Sequence, residues 1–133
     1  MTALDPAEVR IIGPTADEAN LEPLLDRLRS MMAESVGVVR NAEGLAQAVQ
    51  QAAAIEREAA GRSASIANAA LVARLIATAA YLRQESRGGH FRQDFPLTDA
   101  AQAKRSRITL EDADAFLADL EAAGSCQRMQ GRG

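Results

Sequence analysis

Residues 85–96 read Glu85-Ser86-Arg87-Gly88-Gly89-His90-Phe91-Arg92-Gln93-Asp94-Phe95-Pro96, and they follow a long alanine-rich run. The stretch holds the chain's one histidine and two of its three phenylalanines. Glycine adopts positive φ at little cost, so Gly88 and Gly89 predict the end of a helix at about Glu85. Arg83 and Arg87 would then lie in the last turn, where positive charge favours the negative end of the helix dipole. The stretch therefore predicts a long helix that stops abruptly at a sharp turn.

Polar and aromatic side chains alternate after the glycine pair. In an extended strand, His90, Arg92 and Asp94 would lie on one side of the chain. Phe91 and Phe95 would lie on the other side. We expect the two rings to pack on an apolar surface and the ionic groups to remain free to form pairs.

Apolar side chains recur at helical spacing upstream of this stretch, which predicts three main helices. The first runs over about residues 21–35. The second begins after the N-cap Asn41 and ends near Gly61. The third begins after a cap at Ser63 or Ser65. Between the first two helices we expect a short buried connector made by three valines, Val36, Val38 and Val39.

Downstream, Thr109 and Asp112 resemble a capping pair for a fourth, shorter helix that Gly124 closes. The predicted fold is all-α, a three-helix antiparallel bundle of the spectrin-repeat kind plus this short fourth helix. The predicted organisation is an irregular lead-in or linker at 1–20, the helical bundle domain at 21–123 and a flexible tail at 124–133.

Composition limits the classes of function. The chain has 133 residues, 47% hydrophobic and 3% aromatic, with a net charge of −3. No basic stripe or aromatic platform suggests nucleic acid as a partner. Cys126 is the only cysteine and cannot form an internal disulfide. The N-terminal residues lack the apolar run of a signal peptide, so we expect a cytoplasmic protein. Residues 69–82 are interrupted by Arg74 and Thr78, which we interpret as a buried central helix too short to span a membrane.

No catalytic, cofactor-binding or metal site is predicted. His90, with Glu85 and Asp94 nearby in sequence, contains the groups of an acid–base site. A loop held by ion pairs is the interpretation we favour, because a lone histidine among charges is a weak catalytic signal. Arg74 within the apolar helix is either a buried charge paired with Glu34, Glu43 or Glu56, or a side chain that reaches solvent.

Several segments together carry a family resemblance. They are residues 28–32 (Leu-Arg-Ser-Met-Met), 36–41 (Val-Gly-Val-Val-Arg-Asn), 43–45 (Glu-Gly-Leu) and 68–83, followed by the 85–96 stretch. In this order they resemble the C-terminal domain of the succinate dehydrogenase/fumarate reductase flavoprotein superfamily, and most closely its L-aspartate oxidases. Two positions depart from the pattern. Ala33 stands where the family often has tryptophan, and residues 97–100 replace the acidic, tryptophan-containing stretch of succinate dehydrogenases.

The resemblance implies a structural domain within an FAD-dependent oxidoreductase. Such an enzyme oxidises L-aspartate to iminoaspartate, the first step of NAD biosynthesis through quinolinate, with quinolinate synthase as its pathway partner. FAD would be bound by the parent enzyme and not by this chain, which would be inactive alone. The 85–96 stretch would then dock the bundle onto the flavin-binding domain. The candidate docking residues are Glu85, Arg87, His90, Phe91, Arg92, Asp94 and Phe95.

Two alternatives remain at this stage. The domain fits a succinate dehydrogenase or fumarate reductase flavoprotein, although its short tail without tryptophan argues against that. It also fits a free-standing helical module that binds a protein or forms a homodimer, because an apolar face without its flavin domain favours dimers.

Overall fold

The computed structural model describes residues 20–130, with side chains described over 20–125. The expected lead-in, apart from Asn20, and residues 131–133 lie outside this range. Four helices, two short strands and a 3-10 turn follow one another along the described chain. They are α1 (Glu22–Ser35), β1 (Val39–Arg40), α2 (Ala42–Ala59), α3 (Ala64–Leu82), β2 (Phe91–Arg92), the 3-10 turn (Ala100–Gln102) and α4 (Leu110–Gln130). This arrangement confirms the all-α prediction.

Side-chain caps start three of these helices where the sequence predicts them. The Asn41 side chain accepts a hydrogen bond from the Gly44 N–H at 2.8 Å, and the Ser63 hydroxyl accepts one from the Ile66 N–H at 3.3 Å. At α4 the capping is reciprocal. The Asp112 N–H donates to Thr109 Oγ1 at 3.1 Å, and the Thr109 N–H donates back to the Asp112 carboxylate at 2.9 Å. Each cap satisfies backbone donors that the first helical turn leaves unpaired.

The core is built from small and branched aliphatic side chains on one face of α2. Leu45, Val49 and Ile55 are buried between α1 and α3. Alanines fill the rest of the α2–α3 contact, which is the most extensive in the domain. Because alanine adds little bulk between helices, the two axes can approach closely. The buried alanines are Ala48, Ala52, Ala53 and Ala59 on α2, and Ala70, Ala73 and Ala77 on α3.

Both ends of the helical assignment differ from prediction at a glycine. α3 ends at Leu82 and not near Glu85, so Gly88 and Gly89 do not close it. Gly88, with φ +57°, instead forms the turn between Arg87 and His90. The predicted stop at Gly124 is wrong, because α4 continues to Gln130 and is 21 residues long. An exposed glycine costs a helix only about 1 kcal/mol relative to alanine, which is too little to end it.

A two-stranded parallel ribbon joins the α1–α2 connection to the chain after α3. β1 and β2 pair with Val39 opposite Phe91 and Arg40 opposite Arg92. The Gln93 N–H extends the ladder by donating to the Arg40 carbonyl at 2.7 Å. The predicted buried connector is correct only for Val36, since pairing in the ribbon leaves Val38 and Val39 exposed.

Among the described helices, α3 has the length and composition that a membrane span requires. It extends over 19 residues, so the argument that this segment is too short is wrong. The core helix of a soluble bundle meets the same criteria, and α3 packs against the other three helices. Arg74 at its centre is buried and faces carboxylates of neighbouring helices, which favours the core-helix interpretation.

Candidate functional site

The buried Arg92 guanidinium closes the carboxyl end of α3. Its Nη1 donates to the carbonyls of Ala80 at 3.0 Å, Tyr81 at 2.7 Å and Arg83 at 3.3 Å. Its Nε and Nη2 donate to the two carboxylate oxygens of Asp94 at 2.8 and 2.7 Å. Only 1% of Arg92 is exposed. A side chain ten residues further along thus satisfies the carbonyls that the glycine pair was expected to satisfy.

Asp94 extends this connection to a second helix. Its Oδ2 also accepts a hydrogen bond from the N–H of Ala42, the first residue of α2, at 3.1 Å. The hydrogen bonds from Arg92 are the main cause that lowers the pKa of Asp94 to about 2, and the Ala42 N–H adds to the effect. A carboxylate is favoured at a helix N-terminus and a cation at a C-terminus. The Arg92–Asp94 pair therefore stabilises the ends of α3 and α2 together.

Glu85 anchors the following loop in the same way. It is fully buried and accepts hydrogen bonds from Arg87 Nε at 3.1 Å, from Arg83 Nη1 and from the Asp99 N–H at 2.9 Å. The bond from Arg87 contributes most to lowering the pKa of Glu85 to about 2, against the effect of burial. Arg83 also donates to the carbonyls of Gln102 at 3.0 Å and Lys104 at 2.8 Å. One buried carboxylate thus ties the loop before α4 to the end of α3.

Both ring nitrogens of His90 have partners within the chain. Nε2 lies 3.1 Å from the Arg83 carbonyl, and Nδ1 lies 2.9 Å from Arg40 Nη1. Since a carbonyl oxygen can only accept, Nε2 carries the proton, and Nδ1 accepts from Arg40. Arg40 Nε in turn donates to the carbonyls of Val36 at 3.2 Å and Gly37 at 3.0 Å. Neither nitrogen is left for a substrate, which favours the structural interpretation of His90.

Sequence reasoning missed Ser86 as a contributor to this site. Its hydroxyl accepts from the Arg92 N–H at 2.9 Å and donates to the Phe95 carbonyl at 2.8 Å. The Thr98 hydroxyl donates to the Ser86 carbonyl at 2.8 Å. Serine commonly bonds to nearby backbone in turns, so its place before the glycine pair was the available signal. Ser86 holds the segment that carries Arg92 and Asp94.

The two phenylalanine rings have the opposite placement to the one expected. Phe91 is 40% and Phe95 36% exposed, whereas Arg92 is buried beneath them. The unpaired carbonyls at the end of α3 attract the guanidinium inward, which turns the rings outward. Arg92 lies 5.1 Å from the centroid of the Phe95 ring, so one face of that ring contacts a cation. The exposed apolar side chains of this region, which we call the ribbon face, are Val38, Val39, Phe91 and Phe95.

A second ionic site lies in the middle of the bundle. Arg74 Nε donates to Glu56 at 2.9 Å, and its Nη1 donates to Asp114 at 2.8 Å. Burial alone would lower the pKa of Arg74, but the hydrogen bonds from its guanidinium to the two carboxylates raise it. Of the partners considered from sequence, Glu56 is correct. Asp114 was missed because the orientation of α4 could not be inferred.

The described residues do not fit a metal or a flavin cofactor. No group of three metal-ligating His, Cys, Asp or Glu side chains comes together among them. Neither strand of the ribbon leads through a glycine-rich turn into a helix in the pattern that holds a dinucleotide pyrophosphate. A shallow pocket lies beside the end of α3, lined by Ala79, Leu82, Arg83, Gln102, Lys104, Ser106, Arg107 and Ile108. Its lining offers no such cradle for a flavin pyrophosphate.

The candidate docking residues therefore divide into two groups. Glu85 and Arg92 are buried and paired within the chain, and His90 is half-buried. Arg87, Phe91 and Phe95 reach the surface. Asp94 belongs to both groups, because its carboxylate holds Arg92 while the residue is partly exposed.

Comparison with known proteins identifies the family. The family described as fumarate reductase flavoprotein C-term matches residues 61–123, from the turn before α3 into α4. The chain is 46% identical over 94 residues to an L-aspartate oxidase of Rhodospirillum rubrum, covering 70% of this chain and 32% of that protein. It is 41% identical over 88 residues to an L-aspartate oxidase of Agrobacterium fabrum, covering 66% of this chain and 16% of that protein.

A third relative is an uncharacterised FAD-dependent oxidoreductase of Methanocaldococcus jannaschii, 33% identical over 91 residues, covering 61% of this chain and 17% of that protein. No solved structure matches the chain. The chain spans about a third of the first of these relatives and less than a fifth of the other two. The match over α3, the Arg92–Asp94 segment and most of α4 places this chain in the family of fumarate reductase flavoprotein C-terminal domains, in which it resembles the L-aspartate oxidases.

Proposed function

We propose that this chain is the C-terminal structural domain of an FAD-dependent L-aspartate oxidase. The observation that carries the proposal is the 46% identity to a protein of that name over the part of the chain that forms the bundle and its ionic loop. The family match at residues 61–123 supports the C-terminal position of the domain. A cytoplasmic location is part of the proposal, supported by the chain's single cysteine.

The parent enzyme would oxidise L-aspartate to iminoaspartate. FAD, held by the rest of the parent, would accept a hydride from the substrate carbon, while the amine loses a proton to give the imine. Oxygen or fumarate would reoxidise the flavin. Iminoaspartate would then pass toward quinolinate and NAD, with quinolinate synthase as the pathway partner.

The proposed role of this chain is to complete and stabilise that enzyme, not to perform its chemistry. The hydrogen bonds of Glu85, His90 and Arg92 go to groups within the chain, so these residues are positioned to hold the loop and not a substrate. We propose that the exposed members, Phe91 and Phe95, dock on the flavin-binding part. Domain contacts within a chain are commonly mixed apolar and polar, as this surface is.

Grafting tests the proposal. The matched C-terminal segment of the Agrobacterium fabrum relative would be replaced by this chain, and FAD content and L-aspartate-dependent flavin reduction would be measured. A relative truncated before that segment is the control. We expect the graft to retain FAD and activity that the truncated control lacks.

The same graft separates the alternatives. A succinate dehydrogenase flavoprotein serves as a second host, since the chain's tail departs from that branch. Restoration only in the second host would move the chain to the succinate dehydrogenase branch. Restoration in neither host, by a chain that circular dichroism shows to be folded, would favour a free-standing helical module.

A further inference from the structure

We propose that the outward face of α3 is a second docking surface, distinct from the ribbon face, and that the flavin-bearing part of the parent chain covers it. The inference rests on the proposed function and deepens it by naming the surface used. We call this surface the α3 stripe. Its residues recur at helical spacing along one face, Val72, Ile76, Ala79 and Leu82.

The α3 stripe is left uncovered by the rest of the domain. Val72, Ile76 and Leu82 are 52, 47 and 53% exposed, although they belong to the most apolar helix described. The opposite face of α3 already packs against α1, α2 and α4. The one charged residue within α3, Arg74, faces inward to Glu56 and Asp114. Nothing polar therefore interrupts the stripe, and a helix that is apolar on nearly all sides is normally buried.

A basic-rimmed pocket continues the stripe at its carboxyl end. Ala79 and Leu82 belong both to the stripe and to the pocket, and Ile108 adds a third apolar wall. Lys104 and Arg107 line the same pocket from the loop before α4 and are exposed. The combination fits an apolar side chain of a partner with a carboxylate beside it. Apolar contact at the centre with charge at the rim is the usual anatomy of a protein interface.

The comparisons indicate which partner has this chemistry and is large enough. The chain covers 32% of one relative and 16% of another, so most of the flavoprotein in such proteins has no counterpart here. Covering an unbroken apolar helix face requires a large, shape-matched surface. The flavin-bearing part of the same protein supplies one at high effective concentration, because it is covalently linked.

The test compares charge substitutions in the free chain and in the graft. Ile76→Glu and Val72→Glu place a carboxylate on the α3 stripe, and Ala54→Glu places one at an exposed position of α2 as the matched control. In the free 133-residue chain all three should leave the circular dichroism spectrum and melting temperature close to those of the unsubstituted chain. In the graft, the two stripe variants should weaken FAD retention at least about tenfold, because an unpaired charge is buried at the interface. The control should not.

Each outcome has a definite meaning. An active unsubstituted graft whose Ile76→Glu and Val72→Glu forms retain FAD equally well would overturn the inference and leave the proposed function intact. An unsubstituted graft without FAD would contradict the proposed function, and the inference would fall with it. If the glutamate variants unfold the free chain, Val72→Ser and Ile76→Ser replace them under the same criteria. Dimers of the free chain that Ile76→Glu disperses, together with an unaffected graft, would overturn the inference in favour of a second copy.

Discussion

Arg92 and Asp94 form a bidentate ion pair that joins the end of one helix to the start of another. The guanidinium donates to Asp94 at 2.8 and 2.7 Å and to three carbonyls at the end of α3. The carboxylate accepts from the first N–H of α2. Each charge lies at the helix end whose dipole favours it, so the pair orders the bundle end from which the ribbon and its exposed rings project.

Removing the guanidinium should destabilise the domain strongly. Arg92→Met keeps much of the side-chain length but leaves buried carbonyls of α3 without donors and Asp94 without its partner. We expect a loss of about 3–5 kcal/mol in the free energy of unfolding, measured by urea denaturation at pH 7. Arg92→Lys is the matched control, since lysine keeps the charge but cannot make the bidentate contact. It should fall between the two, and a loss below about 1 kcal/mol for Arg92→Met would contradict the role assigned to this pair.

Stability should decrease in acid because of two carboxylates. The folded-state pKa values of Glu85 and Asp94 are each about 2, below the values of 4.5 and 3.8 that apply without the fold. A lowered folded-state pKa contributes stability above the unfolded value, and that contribution is lost as pH falls through the folded value. Urea midpoints should therefore be nearly constant above about pH 5 and decrease between about pH 4.5 and 2.

The double variant Glu85→Gln, Asp94→Asn is the control for this pH dependence. It should be less stable at pH 7, because it loses both ion pairs, but its midpoint should change less between pH 4.5 and 2. A double variant whose acid decrease is as steep as that of the unsubstituted chain would assign the effect to other carboxylates.

Local rules predicted the helix starts but not the packing of the ionic loop. Asn41, Ser63 and the Thr109–Asp112 pair act within three residues of their own position, so short-range chemistry determines them. The inward turn of Arg92 depends on carbonyls that become available only when α3 ends at Leu82. Strand alternation gave two sides but could not say which side faces the protein. Partners distant in sequence decide that.

The Arg74 site shows the same limit at the level of helix packing. The sequence suggested Glu56 as a partner, because α2 and α3 are adjacent in the chain and pack together. Asp114 meets Arg74 only because α4 crosses α3, and no local pattern gives that crossing. The family resemblance, carried by the residues themselves, predicted the identity of the domain better than periodicity predicted these long-range contacts.

Arg74→Met should cost much less than Arg92→Met. Both guanidiniums are buried, but the carboxylates that Arg74 would leave behind are 28% exposed at Glu56 and 58% exposed at Asp114. These carboxylates can be hydrated after the substitution, whereas the carbonyls beneath Arg92 cannot. We expect a loss of at most about 1.5 kcal/mol in urea denaturation, since methionine fills the apolar path of the side chain. A loss equal to that of Arg92→Met would show that the buried Arg74 pair is as important as the end-cap.

Gly37→Ala should be destabilising, and Gly89→Ala should be close to neutral. A Cβ at Gly37 would lie 2.4 Å from the Ala33 carbonyl oxygen, which is backbone and cannot rotate away, whereas nothing lies within 4 Å of a Cβ at Gly89. The resulting shift would also move the Gly37 carbonyl that holds Arg40, and with it the Arg40–His90 contact. We expect a loss of about 1–3 kcal/mol for Gly37→Ala and a change within about 0.5 kcal/mol for Gly89→Ala, both from urea denaturation. Equal stability of the two variants would mean that the α1–β1 connection adjusts freely, and the Arg40–His90 contact would then not depend on a fixed backbone at Gly37.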